Sequence, residues 1–259
     1  MGGVNANKNF IQNCAAWKKI DFGPFDFRRK EIRLAPMTGA VENAGYFDEK
    51  QFYFDLISEC SKTGAKLSIG DGIPDTKLKW GIEAVQSAGK KAAVFIKPYS
   101  NEKILERFEW AQDICEYCGV DIDAYNIVTM RNKAWLEKKD SSLLIELKKY
   151  FSRKGIPFVI KGIFTDEDLR LVEEVKPDVA FVSNHGGRVE TMDASSAEFL
   201  SENFKLLKSN CAEIWVDGGI RSWNDVFKAQ SYGASEVLAG RPFVSALCRK
   251  ISFDNILKN

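Results

Sequence analysis

A repeating alternation constrains this chain more than any other feature. Short runs rich in β-branched and apolar residues, each long enough for one buried strand, alternate with longer segments of helical spacing. The strand-like runs are Ile32 to Pro36, Ala65 to Gly70, Lys91 to Lys97, Ile122 to Val128, Ile156 to Lys161, Asp178 to Ser183, Ala212 to Asp217 and Ser235 to Gly240. The helical segments are Asp48 to Thr63, Thr76 to Ala88, Asn101 to Tyr117, Ser141 to Lys154, Thr165 to Val175, Ser195 to Ser209, Ser222 to Tyr232 and a last one from Pro242 onward. Such alternation specifies the α/β class with a parallel sheet. Eight units in 259 residues match a (β/α)8 TIM barrel, which takes about 250. An open doubly wound sheet is the alternative, and eight units make it the weaker one.

Local chemistry agrees with the segment ends. Thr165-Asp166-Glu167-Asp168 and Ser222-Trp223-Asn224-Asp225 pair a capping hydroxyl with acids in the first turn, where the helix dipole favours them. Gly64, Gly119, Gly155 and Gly233 are placed to end helices in the left-handed conformation. Residues 1–30 fall outside the repeat and read as an N-terminal extension packed on the barrel or covering its base; residues 31–259 form the barrel. The polar stretch Met130 to Asp140 suits either a flap over the site or a solvated loop.

Composition narrows the function. With 37 Lys+Arg against 36 Asp+Glu and no basic stripe, nucleic acid is not an expected partner. No apolar run approaches the roughly 18–20 residues that span a bilayer, and the polar start has no signal-peptide core, so a soluble, cytoplasmic protein without a membrane partner is expected. Six cysteines at irregular positions fit reduced thiols better than a disulfide framework. Cys115 and Cys118 read as helix residues at the end of the amphipathic run Glu102 to Tyr117, without zinc spacing. A single histidine, His185, rules out multi-His metal centres, and no metal is expected.

In such a barrel the chemistry lies at the C-terminal ends of the strands. The exits here carry Thr38, Asp71, Lys97, Asn126, Lys161, Ser183-Asn184-His185-Gly186-Gly187-Arg188, Asp217-Gly218-Gly219-Ile220-Arg221 and Gly240-Arg241. The last two turns pair glycines, which let backbone N–H groups approach an anion, with an arginine and a helix start, and so suit a phosphate. Tight turns with arginines solvating helix ends fit the same residues. His185 and Arg188 place a titratable imidazole and a cation at one exit, suited to an anionic substrate that loses a proton. Lys161 and Lys97 close apolar runs and bring ammonium groups to the mouth; surface lysines that merely snorkel are the plainer reading.

From Phe158 to Val244 the motifs FVIKGIFTDEDLRLVEE, FVSNHGGR, WVDGGIRSWNDVFKAQSYGA and LAGRPF strongly resemble the FMN-dependent α-hydroxy acid dehydrogenases, the group containing glycolate oxidase and lactate oxidase. Weaker likeness in RLAPMTGA, SIGDGIP, FIKP and DIDAYNIVTM resembles a divergent branch labelled α-hydroxy-acid oxidizing. The resemblance implies FMN at the barrel mouth and hydride transfer from a small 2-hydroxy acid or similar anion to flavin N5. Asp217, Gly218, Gly219, Arg221, Gly240 and Arg241 would hold the phosphate and ribityl end, and Ala35, Pro36, Met37 and Thr38 would lie along the ring. Asp71, Asn126, Ser183 and Gly186 join the candidate cofactor site as further strand-exit positions. Lys161 would face the N1/O2 edge, His185 would be the base, and Arg188 would bind the substrate carboxylate.

Against the family pattern, Lys97 stands where members have a tyrosine at the third exit, which makes it a candidate anion binder. Asn126 and Val128 stand where members have Thr and Asp at the fourth, so the carboxylate that orients the histidine is expected to be missing. Two alternatives follow: an FMN-dependent isomerase of the type 2 isopentenyl diphosphate isomerase kind, and a catalytically impaired barrel that keeps only a flavin or phosphate-ligand grip. A homo-oligomer is an open option, and the sequence names no electron acceptor.

Overall fold

The computed structural model describes residues 8–127, 135–189 and 193–257. Its eight strands are β1 (Arg33–Leu34), β2 (Ser68–Gly70), β3 (Ala92–Ile96), β4 (Cys115–Asp121), β5 (Phe158–Ile163), β6 (Val179–Val182), β7 (Glu213–Val216) and β8 (Ala234–Ala239), all parallel in the order β1-β8-β7-β6-β5-β4-β3-β2. The ring closes where the Leu34 N–H donates to the Lys66 carbonyl (2.8 Å) and the Lys66 N–H to the Ile32 carbonyl (3.1 Å). This is the expected (β/α)8 barrel.

Ten α-helices are present among the described residues: α1 (Lys8–Lys19), α2 (Ala40–Ala44), α3 (Glu49–Ser61), α4 (Thr76–Ser87), α5 (Asn101–Ala111), α6 (Ser141–Arg153), α7 (Asp166–Val175), α8 (Ser196–Asn210), α9 (Trp223–Ser231) and α10 (Arg241–Arg249). Thr165, Ser195 and Ser222 each form a reciprocal capping box with the acid three residues on, each cap worth about 1 kcal/mol. No described helix is long and apolar enough to cross a membrane.

The fourth unit departs from the sequence reading. Helix α5 ends at Ala111, and β4 takes Cys115 to Asp121 instead of Ile122 to Val128. Cys115 and Cys118 are therefore buried strand residues, not helix residues. Gly119 is the reason for the register: a Cβ there would sit 2.7 Å from the Phe95 ring on neighbouring β3, so only glycine lets the strands close. It ends no helix, and neither Gly119 nor Gly64 adopts a positive φ, whereas Gly155 and Gly233 do. The apolar residues after Asp121 enter a short 3-10 turn, Ala124–Asn126, at the mouth; Val128 lies outside the described residues.

Phe95, Phe181 and Trp215 fill the barrel lumen with mutual edge contacts, ring centroids 5.5 to 6.4 Å apart, each pair worth about 0.5–1.5 kcal/mol beyond its buried area. Below them Arg33 plugs the base. Its guanidinium lies 4.7 Å from the Trp215 ring and donates to Glu116 (2.5 Å) and the Leu67 carbonyl (2.8 Å). The site thus rests on a rigid aromatic floor.

The first part of the chain runs from mouth to base along the outside. Trp17 Nε1 donates to the Gly218 carbonyl (2.7 Å), and Lys228 Nζ caps the end of α1 through the Trp17 and Ile20 carbonyls (2.8 and 2.6 Å). Phe25 packs on Phe204, and the Arg29 N–H donates to Gln230 (2.8 Å). Of Met130 to Asp140, residues 130–134 lie outside the described residues; beyond them the Glu137 N–H donates to the Pro98 carbonyl (2.7 Å) and Lys139 is buried.

Candidate active site

Four strand exits bring one charged cluster together. Lys97 follows β3, Asp121 ends β4, Lys161 lies in β5, and His185 follows β6. His185 adopts φ 53°, followed by Gly186 at 64° and Gly187 at 89°. This left-handed turn needs its glycines and aims the imidazole back over the barrel. Asn184 holds the turn from below, its side-chain oxygen accepting the Gly187 N–H at 2.9 Å.

His185 Nδ1 lies 2.7 Å from Asp123 Oδ2. The expected absence of an orienting carboxylate is thus corrected. Asp121-Ile122-Asp123, not Asn126 and Val128, supplies the fourth exit, because β4 starts seven residues earlier than the apolar pattern indicated. Gly162, at φ 101°, has no Cβ to collide with the Asp123 carboxylate; a glycine directly after Lys161 was the sequence signal for that close approach.

Asp121 is buried between two ammonium groups, Oδ2 2.7 Å from Lys97 Nζ and Oδ1 2.9 Å from Lys161 Nζ. Burial pushes its carboxyl up, but Lys161 and then Lys97 outweigh this and hold it well below the usual range. Burial likewise disfavours the charge on Lys161, and Asp121, Asp217 and Asp123 overcome it, so Lys161 stays protonated. Asp217 is raised by burial against the pull of Lys161, and accepts a hydrogen bond from Ser183 Oγ at 2.8 Å. Ligand atoms of Asp121, Asp123 and His185 come within 4.8 Å of one another, a spacing a cation could use, yet the two lysines already supply that positive charge.

Beside the cluster opens a cleft at the barrel mouth. Ala35, Pro36 and Met37 form one wall, Lys161, His185, Gly186 and Arg188 another, and Asp217 to Arg221 with Leu238 to Arg241 the end. At that end Arg188, Arg221 and Arg241 converge, and among the described residues none pairs with a carboxylate. Burial first, then Arg188 and Arg221, pull Arg241 down to about 10. Three cations without a carboxylate contact among the described residues, beside the Gly218-Gly219 turn at φ 95° and 82°, make an end of the cavity that suits an anion.

Not every expected residue lines this cavity. Lys97 is committed to Asp121. Asp71 is buried on Arg107 Nε at 3.1 Å. Thr38 packs over Gly70 and Gly72, Ser183 lies beneath the wall, and Asn126 belongs to the 3-10 turn. The sequence reading also missed α1. Phe10 stacks 3.8 Å from the Arg241 guanidinium, Cys14 Sγ lies 3.5 Å from Arg221 Nη2, and Asn13 exchanges amide hydrogen bonds with Asn184 (2.7 and 3.1 Å). Gly218 and Gly219 therefore also admit α1, since a Cβ on Gly218 would meet Asn13 at 2.9 Å. A polar-to-apolar run without strand context carried no signal of that docking.

Residues 91–250 match the family model of FMN-dependent dehydrogenases. The chain belongs to the FMN-dependent dehydrogenase family. Among curated relatives, it is 45% identical over 92 residues to 4-hydroxymandelate oxidase of Amycolatopsis orientalis, covering 36% of this chain and 26% of the relative. It is 38% identical over 105 residues to 2-hydroxyacid oxidase 2 of Bos taurus, covering 40% and 30%. The matched stretch thus spans less than a third of either relative. Its fold is similar to a mandelate oxidase variant solved with benzaldehyde, at TM-score 0.71 and 22% identity over 95% of this chain and 80% of that one. A flavocytochrome b2 variant solved with pyruvate gives 0.73 at 22% identity, over 95% and 71%.

The family's cofactor fits the residues present. The arginine cradle lacks an anion partner, the adjoining wall of Ala35 to Met37 is apolar enough for a planar ring, and a Cβ on Gly240 would sit 2.8 Å from Met37 Sδ, so the glycine keeps that wall close.

Proposed function

We propose that this chain oxidises a small 2-hydroxy acid at the barrel mouth, with FMN as its cofactor. The contact between His185 and Asp123 carries the reading. A carboxylate on Nδ1 fixes the neutral tautomer with the proton on that nitrogen and stabilises the imidazolium that forms when Nε2 takes a proton. His185 Nε2 is buried and makes no hydrogen bond, as a base awaiting a hydroxyl group should.

Arg221, Arg241 and the N–H groups of the glycine turns would hold the cofactor's phosphate, and Ala35, Pro36 and Met37 would lie along its ring. Bound there, FMN supplies the two-electron oxidising power that side chains lack. Lys161, whose charge Asp121 favours, would face the ring's N1/O2 edge. Arg188, whose half-buried guanidinium donates to the His185 carbonyl at 3.2 Å, would take the substrate carboxylate, so that the hydroxyl at the α-carbon would meet Nε2. Relatives named for the oxidation of hydroxy acids support this chemistry over an isomerase. The impaired-barrel alternative drew its support from a missing carboxylate, which Asp123 supplies.

Anaerobic mixing of the FMN-loaded protein with a panel of 2-hydroxy acids tests the proposal. Bleaching near 450 nm by at least one member, on the order of 1–10³ per second as for ordinary enzymes, is expected. No bleaching by any member overturns it.

A further inference from the structure

The base has a second carboxylate beside it. Asp121 Oδ2 lies 3.4 Å from His185 Nε2, the nitrogen that must accept the substrate proton, without forming a hydrogen bond. A small rotation would close that gap. His185 would then be clamped between Asp123 on one nitrogen and Asp121 on the other, held as a cation and useless as a base. The shorter contact, 2.7 Å from Asp121 Oδ2 to Lys97 Nζ, competes for the same oxygen.

We infer that Lys97 is a positioning residue: by binding Asp121 Oδ2 it keeps that carboxylate off His185 Nε2 and leaves the nitrogen free to accept a proton. The inference rests on the reading of His185 as the base. Charge balance supports it. Around the imidazole stand Asp121 at the end of β4 and Asp123 after it, Lys97 after β3 and Lys161 on β5, both on Asp121, Arg188 after β6 on the His185 carbonyl, and Asp217 after β7, which burial raises; two ammonium groups face the two carboxylates of β4's exit. Removing Lys97 leaves a surplus carboxylate in a buried site, and protonation of His185 is the nearest way to neutralise it. Lys161 sits on the other oxygen, Asp121 Oδ1, at 2.9 Å, and leaves Oδ2 to Lys97.

His185 is the only histidine, so a 15N-labelled protein carrying no histidine tag shows a single imidazole, read without assignment. In wild type at pH 7.5, with its flavin as purified, the 15N shifts should show Nδ1 protonated and Nε2 bare. In Lys97→Met at the same pH Nε2 should be protonated, and the acid limb of the kcat/KM profile should move by about one to three pH units toward alkali, as an opposite charge at this distance produces. Lys97→Gln carries the same expectation should the Met variant fail to fold. Lys97→Arg should keep the wild-type spectrum, and Lys97→Met with Asp121→Asn should restore it.

A bare Nε2 in both neutral variants, a protonated Nε2 in wild type, or a double variant that stays protonated would each overturn the inference. The nitrogen shifts need no turnover. A wild type whose flavin no hydroxy acid reduces would overturn the proposed activity and leave this reading of Lys97 to the spectra.

Discussion

Asp123 Oδ2 and His185 Nδ1 meet at 2.7 Å across 62 positions of sequence, joining the exit of β4 to the exit of β6. The carboxylate decides which imidazole nitrogen carries the proton. Asp123→Asn keeps the shape and removes the charge, and kcat for the hydroxy acid that reduces the flavin should fall by about 10³–10⁴-fold, as in other carboxylate-oriented histidines. Steady-state kinetics on protein with unchanged circular dichroism would check this.

Much of the barrel is visible in the residues themselves, because strand and helix periods differ and because caps such as Thr165 and Ser222 mark helix starts locally. The Gly-Arg turns that line the cavity are visible for the same reason: their glycines and arginines stand close together in sequence. The fourth strand is not. Cys115 to Asp121 contains Glu116, Tyr117 and Gly119, which break the apolar pattern; Tyr117 and Glu116 instead join the base, and Gly119 answers to a ring on another strand. Asp123 went unrecognised because its role depends on that register. Helix α1 was illegible because its Asn13 and Phe10 find partners more than 170 residues away.

The arginine cradle should govern cofactor affinity. Arg241→Met removes one charge-assisted contact, worth about 1.5–3 kcal/mol, so the FMN dissociation constant should rise by about ten- to a hundredfold. Fluorescence titration of apoprotein with FMN would read it, and an unchanged constant would remove Arg241 from the site.

Asn13 ties α1 to the exit of β6 and to the start of α8. Its side-chain oxygen accepts the Ser196 N–H at 3.0 Å while its amide pairs with Asn184. Asn13→Ala orphans these buried groups and should destabilise the fold by about 1–3 kcal/mol for each group left unpaired, seen as an earlier midpoint in urea. A midpoint equal to wild type would show that α1 is not anchored there.

Two carboxyl groups give stability opposite pH slopes. Asp168, in the α7 capping box, is pushed up to about 6 by burial, against its backbone and Thr165 hydrogen bonds. The folded state therefore binds its proton more tightly than the unfolded state, and stability should fall as pH rises from about 4 to 6, by at most about 3 kcal/mol. Asp121 lies on the other side: its folded carboxyl is depressed, so its contribution is full above about 4 and is lost as acid is added below that. Chemical denaturation at pH 4.5 and 6.5 should show a smaller fall of stability in Asp168→Asn than in wild type, because Asp71 and Asp217, also raised by burial, keep their share of the slope.

The central claim is that His185, oriented by Asp123, is the base for oxidation of a 2-hydroxy acid. Its most direct test is the anaerobic rate of flavin bleaching by the best hydroxy acid, in wild type and in His185→Ala loaded with the same FMN. The account predicts rapid bleaching in wild type and a rate lower by about 10²–10⁴-fold in the variant. Equal rates in the two proteins would contradict it.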